Sequence, residues 1–181
     1  MTKMMKSAAR AKEYVSFFRC PICAEELTVV DYKSLICMNN HTFDFTKQGY
    51  VNMITHPARS KYSKKLFEAR HKIIMESGFY TSMHEMLSNV IAEHSEHAND
   101  PCMIADLGCG EGSHLQKLLD ASKNPAMIGV GVDISKEAII KAAKSYENPI
   151  WIVGDLGIGT KRDCLSFSAG RPLKLRLISI F

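Results

Sequence analysis

Short apolar runs alternate with segments of helical spacing in the second half of the chain. The runs fall at residues 104–107, 127–132 and 150–153, and each predicts one buried strand. Ser135 follows the second run as a predicted helix N-cap, ahead of a segment whose apolar residues share one face. Strands that alternate with helices in this way predict an α/β domain built on a parallel sheet.

A glycine-rich turn lies directly after the first predicted strand. Gly108, Gly110 and Gly112 occupy alternate positions, and Asp106 precedes the first of them by two residues. Glycine at such a turn permits positive φ and lets a ligand approach the backbone. The spacing G-x-G-x-G differs from the dinucleotide fingerprint G-x-G-x-x-G. With its preceding acid, the run resembles motif I of S-adenosylmethionine (SAM) methyltransferases, whose loop holds the amino-acid end of the cofactor.

The ends of the other two predicted strands also carry carboxylates. Asp133 lies about 20 positions beyond the glycine turn, where an acidic residue is placed to bind ribose hydroxyls. Asp155 follows the third strand, and in methyltransferases an acid there usually meets the adenine amino group. The alternative is an ordinary βαβαβ unit with solvated carboxylates. Because open parallel sheets bind ligands at their carboxyl ends, the cofactor interpretation is favoured.

The first half of the chain contains a candidate metal site. Runs at 27–30 and 34–36 predict a small hairpin between two ligand pairs. A tetrahedral site with three sulfurs and one nitrogen has no open position for a reactive water, so the predicted zinc is structural. The alternative is four unrelated residues. The candidate ligands follow the pattern C-x2-C-x13-C-x3-H: Cys20, Cys23, Cys37 and His41.

Composition narrows the class of protein. The 181 residues are 46% apolar and 23% charged, as in soluble globular proteins, and the net charge is only +4. The apolar runs are shorter than the roughly 20 residues that cross a bilayer, and the basic N-terminus lacks the apolar region of a secretory signal. Six cysteines in such a chain indicate reduced thiols and metal chemistry. We expect a cytoplasmic protein that does not contact membranes.

The segment between the two modules is basic, then amphipathic. Its cations could follow a phosphate backbone, or they could form a solvated helix face with Leu66, Ile73 and Ile74 turned inward; both interpretations stay open. A capping box at Ser82–Glu85 predicts a second helix. Its predicted inner face comprises Met83, Met86, Leu87, Val90 and Ile91. No function is assigned to the histidines that lack a metal-like grouping, which are His56, His71, His84, His94 and His97. His94 and His97, three residues apart near a predicted helix end, could bind a metal, but a solvated pair is favoured.

Taken together, these motifs resemble the large-subunit ribosomal RNA guanine-N1 methyltransferases. The matching runs are C-P-I-C with Cys37 and His41, then F-D, K-Q-G-Y-V-N, E-S-G-F-Y and D-L-G-C-G-E-G. The resemblance implies a Rossmann-like SAM-binding domain behind a zinc ribbon, and methyl transfer to N1 of a guanine in a 23S rRNA hairpin. It also places cofactor contacts on Tyr80, His114 and Leu115. The alternatives are a core aromatic for Tyr80 and a solvated residue for His114.

The complete set of expected cofactor-binding residues combines the loop, the strand ends and the resemblance, while no catalytic residue is assigned. It comprises Tyr80, Asp106, Gly108, Gly110, Glu111, His114, Leu115, Asp133 and Asp155. The predicted segments are a basic N-terminal extension (1–18), the zinc-binding ribbon (19–56), linker helices (57–100), the N-terminal half of the SAM-binding domain (101–156) and an atypical tail (157–181).

The resemblance ends after Leu156, and the basic tail has no useful helix pattern. We expect this tail to be foreign to the family, and the truncated methyltransferase to have little activity. Residues 173–177 alternate like a half-buried strand and could cover the open edge of the first strand. Two alternative functions stay open, namely a non-catalytic zinc-ribbon RNA-binding fragment and a zinc-bearing methyltransferase of small molecules.

Overall fold

The computed structural model describes residues 1–56, 62–93 and 102–155, together with the backbone of 174–178. A short 3-10 helix at Val15–Phe17 accompanies the regular elements. In chain order these are α1 (Lys3–Glu13), β1 (Leu27–Val30), β2 (Ser34–Cys37), β3 (Thr42–Asp44), β4 (Tyr50–Asn52), α2 (Lys64–Glu76), α3 (Thr81–Glu93), β5 (Cys102–Leu107), α4 (Ser113–Ala121), β6 (Met127–Asp133), α5 (Lys136–Ser145), β7 (Ile150–Val153) and β8 (Lys174–Ile178).

The larger sheet has five strands in the order β4-β7-β6-β5-β8, and every pairing in it is parallel. The strands β5, β6 and β7 are the three that the apolar runs predict, and α4 and α5 connect them. Successive side chains enter two separate cores, with Met103 and Ala105 on one face and Ile104 on the other. The predicted Rossmann-like α/β fold is confirmed.

The strand β8 covers the edge that the sequence analysis expected to be open. Its backbone pairs in parallel with β5, from Cys102 opposite Lys174 to Asp106 opposite Ile178. The prediction of an edge strand near 173–177 is confirmed, with the strand one residue later. The remainder of the 157–181 tail lies outside the described residues, as do His94 and His97.

The smaller sheet is an antiparallel ribbon, β1-β2-β3, whose first two strands form the predicted hairpin. The predicted zinc-binding segment (19–56) includes residues 50–52, and this boundary stays a prediction. Residues 50–52 form β4, which pairs with β7 as an edge of the larger sheet. The reason is burial: Val51 is fully enclosed by the core, and the amide of Met53 donates to the carbonyl of Val153 at 2.8 Å.

The basic N-terminal segment forms a helix that joins the ribbon to the larger sheet. Thr2 caps α1, and small residues on its inner face permit close packing. Ser7 donates to the carbonyl of Gly49 at 2.6 Å, and Arg10 donates to the carbonyl of Glu147 at 2.6 Å. Gly49 immediately precedes β4, and Glu147 lies shortly before β7. The α1 helix is therefore bonded to the β4–β7 edge of the larger sheet and connects the two modules.

The helices α2 and α3 correct the predicted inner faces. Phe67 and Ile74 are buried on α2, whereas Leu66 and Ile73 are about half exposed. On α3 the predicted Met86 and Val90 are exposed, while Ile91 is buried as expected. The helix begins at Thr81, so Ser82 lies inside its first turn rather than at a cap. Within the described ranges, every helix is too short or too polar to span a bilayer.

The close approach of β6 to Trp151 gives a prediction for stability. A Cβ at Gly131 would overlap the Trp151 ring, which is pinned by a 3.0 Å bond from Nε1 to the carbonyl of Tyr146. We expect Gly131→Ala to lower the free energy of unfolding by about 1–3 kcal/mol through overpacking. Urea denaturation measures it. The control is Gly78→Ala, where φ is +69° but the nearest atom is 3.6 Å away. Equal losses in both variants would contradict the packing argument.

Candidate metal centre and donor-binding crevice

The four predicted metal ligands converge at one end of the ribbon. Sγ of Cys23 lies 3.7 Å from Sγ of Cys37. Nδ1 of His41 lies 3.5 Å from Sγ of Cys20 and 3.3 Å from Sγ of Cys37. All four donor atoms are within 4.8 Å of one another. The positive φ of Asn40, +62°, turns the chain so that His41 faces Cys37.

These distances fit zinc. Tetrahedral bonds of about 2.3 Å to sulfur and 2.0 Å to nitrogen place neighbouring donors roughly 3.5–3.8 Å apart. Burial raises the pKa of the Cys20 thiol to about 11, so the metal-free site retains a proton that a bound cation would displace. Zinc would supply structural cross-linking, since all four positions are occupied by protein donors.

Metal removal provides a test of this centre. We expect one zinc per chain, and chelation should lower the melting temperature because the ion cross-links a ribbon of three short strands. The substitution Cys23→Ser should reduce the zinc content. The matched control is Cys102→Ser on β5, which lies outside the cluster and should keep zinc. Elemental analysis with calorimetry decides, and full zinc content in Cys23→Ser would contradict the assignment.

The glycine turn lies at the carboxyl end of β5. Gly110 has φ of +58° and Gly112 has φ of +80°, backbone conformations that L side chains rarely adopt. A Cβ on Gly112 would also overlap Trp151, so the turn is packed against the sheet. The turn leads into α4, with Gly112 as the N-cap residue. The geometry of a ligand-holding strand-to-helix turn therefore follows from the glycine spacing.

Asp133 joins the end of β6 to this turn. Its Oδ2 accepts from the amide of Gly110 at 2.8 Å, and its Oδ1 accepts from the amide of Ser135 at 2.7 Å. Ser135 is the predicted N-cap of α5, since its Oγ accepts from the amide of Ala138. Each carboxylate oxygen retains a second lone pair. The strand end and the turn are thus held together in an arrangement that can still accept hydrogen bonds from a ligand.

A cluster of carboxylates lies beneath the turn. Asp106 is 2% exposed and Glu111 is 1% exposed, and Asp106 interacts electrostatically with both Glu111 and Asp133. The sequence analysis missed their counter-ion, Arg70, whose Nε lies 3.2 Å from Oε2 of Glu111. No sequence spacing connects α2 with the turn. From the sequence alone, Arg70 is one of several cations in the basic segment between the two modules. Its position toward the turn is a tertiary feature.

Burial controls the protonation of the cluster. Desolvation raises the pKa of Asp106 to about 7; the charge of Arg70 lowers it, while Asp133 and Glu111 raise it further. Among the described residues, Oδ1 of Asp106 has no hydrogen-bond partner. Burial and the nearby carboxylates also raise the pKa of the Cys109 thiol, so this cysteine stays protonated. The carboxylate cluster beneath the glycine turn therefore favours binding of a cationic group over an anionic one.

Two histidines to which the sequence assigned no function, His84 and His71, contact the first turn of α4. Nε2 of His84 lies 2.8 Å from Nδ1 of His114, and the ring of Tyr80 packs edge-on against His114 at 4.8 Å. Nδ1 of His71 lies 2.9 Å from Oγ of Ser113. Burial lowers the pKa of His84, and the charge of Lys117 lowers it further. The spacing of His84 and Ile91 along α3 was the missed signal.

The other expected cofactor contacts are His114 and Leu115, in the first turn of α4, and Asp155, which follows β7. Burial, with the charges of Arg70 and His84, lowers the pKa of His114 to about 4, so this ring is neutral and not solvated as the alternative held. Leu115 is fully buried against β6, which leaves only its backbone for a ligand. Oδ2 of Asp155 lies 3.2 Å from Nε2 of His56.

The raised pKa of Asp106 predicts a pH-dependent stability. The group ionises at a pKa of about 7 in the folded chain and at 3.8 when unfolded. Its contribution is therefore complete below pH 3.8 and is lost as the pH rises through 7. We expect the wild-type chain to lose about 2 kcal/mol between pH 5.5 and 8 relative to Asp106→Asn. Denaturation at both pH values tests this, with exposed Asp120→Asn as control. Parallel curves for all three proteins would contradict it.

Comparison with known proteins gives consistent relatives. A zinc-ribbon family described as RlmA, N-terminal, matches residues 18–64. A candidate 23S rRNA (guanine-N(1)-)-methyltransferase of Bacillus subtilis (strain 168), YxjB, is 41% identical over 143 residues, which cover 78% of this chain and 50% of that protein. The 23S rRNA (guanine(748)-N(1))-methyltransferase of Streptomyces fradiae is 32% identical over 145 residues, covering 80% and 50%.

Among solved structures, a candidate S-adenosyl-L-methionine-dependent methyltransferase of Methanococcus maripaludis overlaps 56% of this chain and 46% of its own, with a TM-score of 0.41 and 17% identity. The sheet and the glycine turn define a Rossmann-like α/β domain, which follows a ribbon that carries a Cys/His cluster. Over most of its own length the chain is similar in sequence to proteins named as 23S rRNA guanine-N1 methyltransferases, and its residues 18–64 match the zinc-ribbon family. It spans about half the length of the curated relatives it matches.

Proposed function

We propose that this chain carries the zinc ribbon and the donor-binding part of a SAM-dependent methyltransferase that modifies N1 of a guanine in a 23S rRNA hairpin. The observation that carries the proposal is the contact between Asp133 and Gly110, which joins a carboxylate at one strand end to the glycine turn at the next. In parallel sheets this place binds ribose and the adjoining part of a nucleoside ligand. The names of the relatives supply the choice of rRNA guanine.

In the proposed donor site, different charged residues bind different parts of the ligand. Asp133 would accept from the ribose hydroxyls, and Asp155 would accept from the adenine amino group. Asp106 and Glu111, both acceptors when ionised, favour the positive charge of the donor's amino-acid end. Tyr80 and His114 form an aromatic wall beside the turn, at the position of the cofactor contacts that the family resemblance implies. Bound SAM would supply an electrophilic methyl group for in-line displacement, which depends mainly on positioning.

The proposed RNA contacts lie on the ribbon and on the outer face of α2. Lys64, Lys65 and Lys72 are exposed there, whereas Arg70 turns toward the glycine turn and leaves the basic stretch that the sequence suggested. Exposed cations would bind phosphates with a salt-dependent affinity. The target edge of guanine is hidden by pairing or stacking, so the base would be presented in a loop or flipped out. The compartment that fits this substrate is the cytoplasm.

The function is tested by nucleoside mass spectrometry of 23S rRNA from cells with and without the gene. We expect 1-methylguanosine to decrease when the gene is deleted and to return when an unmutated copy is supplied, a result that would overturn the expectation of little activity from the sequence. The control copy carries Asp133→Ala, which should restore less of the modified nucleoside. Unchanged 1-methylguanosine in the deletion strain would contradict the proposal. In that case, RNA binding that persists without donor binding would favour the RNA-binding fragment, and donor binding without salt-sensitive RNA binding would favour a small-molecule substrate.

A further inference from the structure

The glycine turn is poorly equipped to bind an anion through its own backbone. Two amides, those of Gly108 and Cys109, donate to the carbonyl of Val132 at 2.8 and 3.1 Å. Gly110 donates to Asp133, and the amide of Gly112 donates to the carbonyl of Cys109 at 3.0 Å. Four backbone amides of the turn that could bind a ligand anion therefore already donate to protein acceptors.

The charges beneath the turn also oppose an anion. Asp106, Glu111 and Asp133 all raise the pKa of the Cys109 thiol, and Glu111 and Asp133 also raise the pKa of Asp106. An incoming carboxylate would face like charges in a site of low solvent access, where repulsion is strong. A donor that ends in an amino acid has both an ammonium and a carboxylate. The acids suit the ammonium, so the carboxylate requires a separate cation.

Arg70 supplies a cation at this position. A Cβ placed on Gly110 would lie 3.4 Å from Nε, 3.7 Å from Cζ and 3.8 Å from Nη2 of Arg70, so the guanidinium lies over the turn. The ion pair with Glu111 engages its Nε edge. A guanidinium carries five N–H donors in a planar fork, which suits simultaneous contact with two carboxylates. The Arg70 side chain is 29% exposed, so a ligand can reach it.

We propose that Arg70 binds the carboxylate of the donor's amino-acid end, with Glu111 orienting the guanidinium. This proposal rests on the proposed function, since it assigns one further contact within the same donor site. Arg70 is a specificity-determining residue in this assignment, because it separates donors that carry the carboxylate from analogues that lack it. Removal of the α2 cation would leave the adenosine part of the ligand with its contacts to the strand ends.

The test is a cycle between one side chain and one ligand group. Calorimetry measures binding of S-adenosylhomocysteine and of its decarboxylated analogue, which keeps the ammonium, the thioether and the adenosine. In the wild-type chain we expect the analogue to bind about tenfold more weakly or worse, as for a lost charge-assisted contact. Arg70→Ala should weaken S-adenosylhomocysteine by a similar factor and should no longer distinguish the two ligands. Lys144→Ala, which removes an exposed cation at the end of α5, should match the wild type.

Each outcome separates this assignment from the proposed function. Equal weakening of both ligands by Arg70→Ala would show a purely structural role and overturn the proposal, while leaving the donor site intact. Wild-type chain that binds neither ligand would overturn the donor site itself. Should Arg70→Ala fail to fold because Glu111 loses its partner, Arg70→Lys keeps the positive charge without the planar fork. It should weaken S-adenosylhomocysteine selectively, and an unchanged preference for the carboxylate would again contradict the assignment.

Discussion

The charge of the proposed donor site comes from carboxylates that lie beneath the glycine turn. Asp106, Glu111 and Asp133 lie close together where β5 and β6 end, and Asp106 and Glu111 are almost completely buried. Asp133 is held by two backbone amides and Glu111 by Arg70, while Asp106 has a pKa raised to about 7. Such a cluster costs stability in a chain without ligand, because burial of charge is unfavourable unless a partner compensates it. A cationic ligand that enters the crevice would reduce this cost.

The two modules form a continuous structure through elements whose role the sequence did not show. The β4 strand leaves the ribbon to become an edge of the larger sheet, and Phe45 and Val51 form a bridge at the crossing. The α1 helix packs small residues against the same region and bonds to both Gly49 and Glu147. The zinc ribbon is therefore attached to the sheet along its own chain, and an ion that orders the ribbon also supports one edge of the donor domain.

Local patterns predicted the parts that local chemistry determines. The ligand spacing, the hairpin, the three strands and the Ser135 cap follow from residue type and periodicity, and the structure contains all of them. The errors concern contacts between distant segments. His84 and Arg70 are polar residues on helices, and only packing against α4 and the glycine turn brings them inside. No property of either residue's neighbours in sequence specifies that partner.

The central claim is that Asp133 and the glycine turn form a site for the SAM donor, and calorimetric titration with S-adenosylhomocysteine tests it most directly. Zinc-loaded wild-type chain should bind one equivalent, and Asp133→Ala should bind about tenfold more weakly or not at all, as expected for lost bonds to a charged acceptor. Exposed Asp120→Ala should bind like the wild type. Folded wild-type chain that gives no heat of binding, or Asp133→Ala with unchanged affinity, would contradict the account.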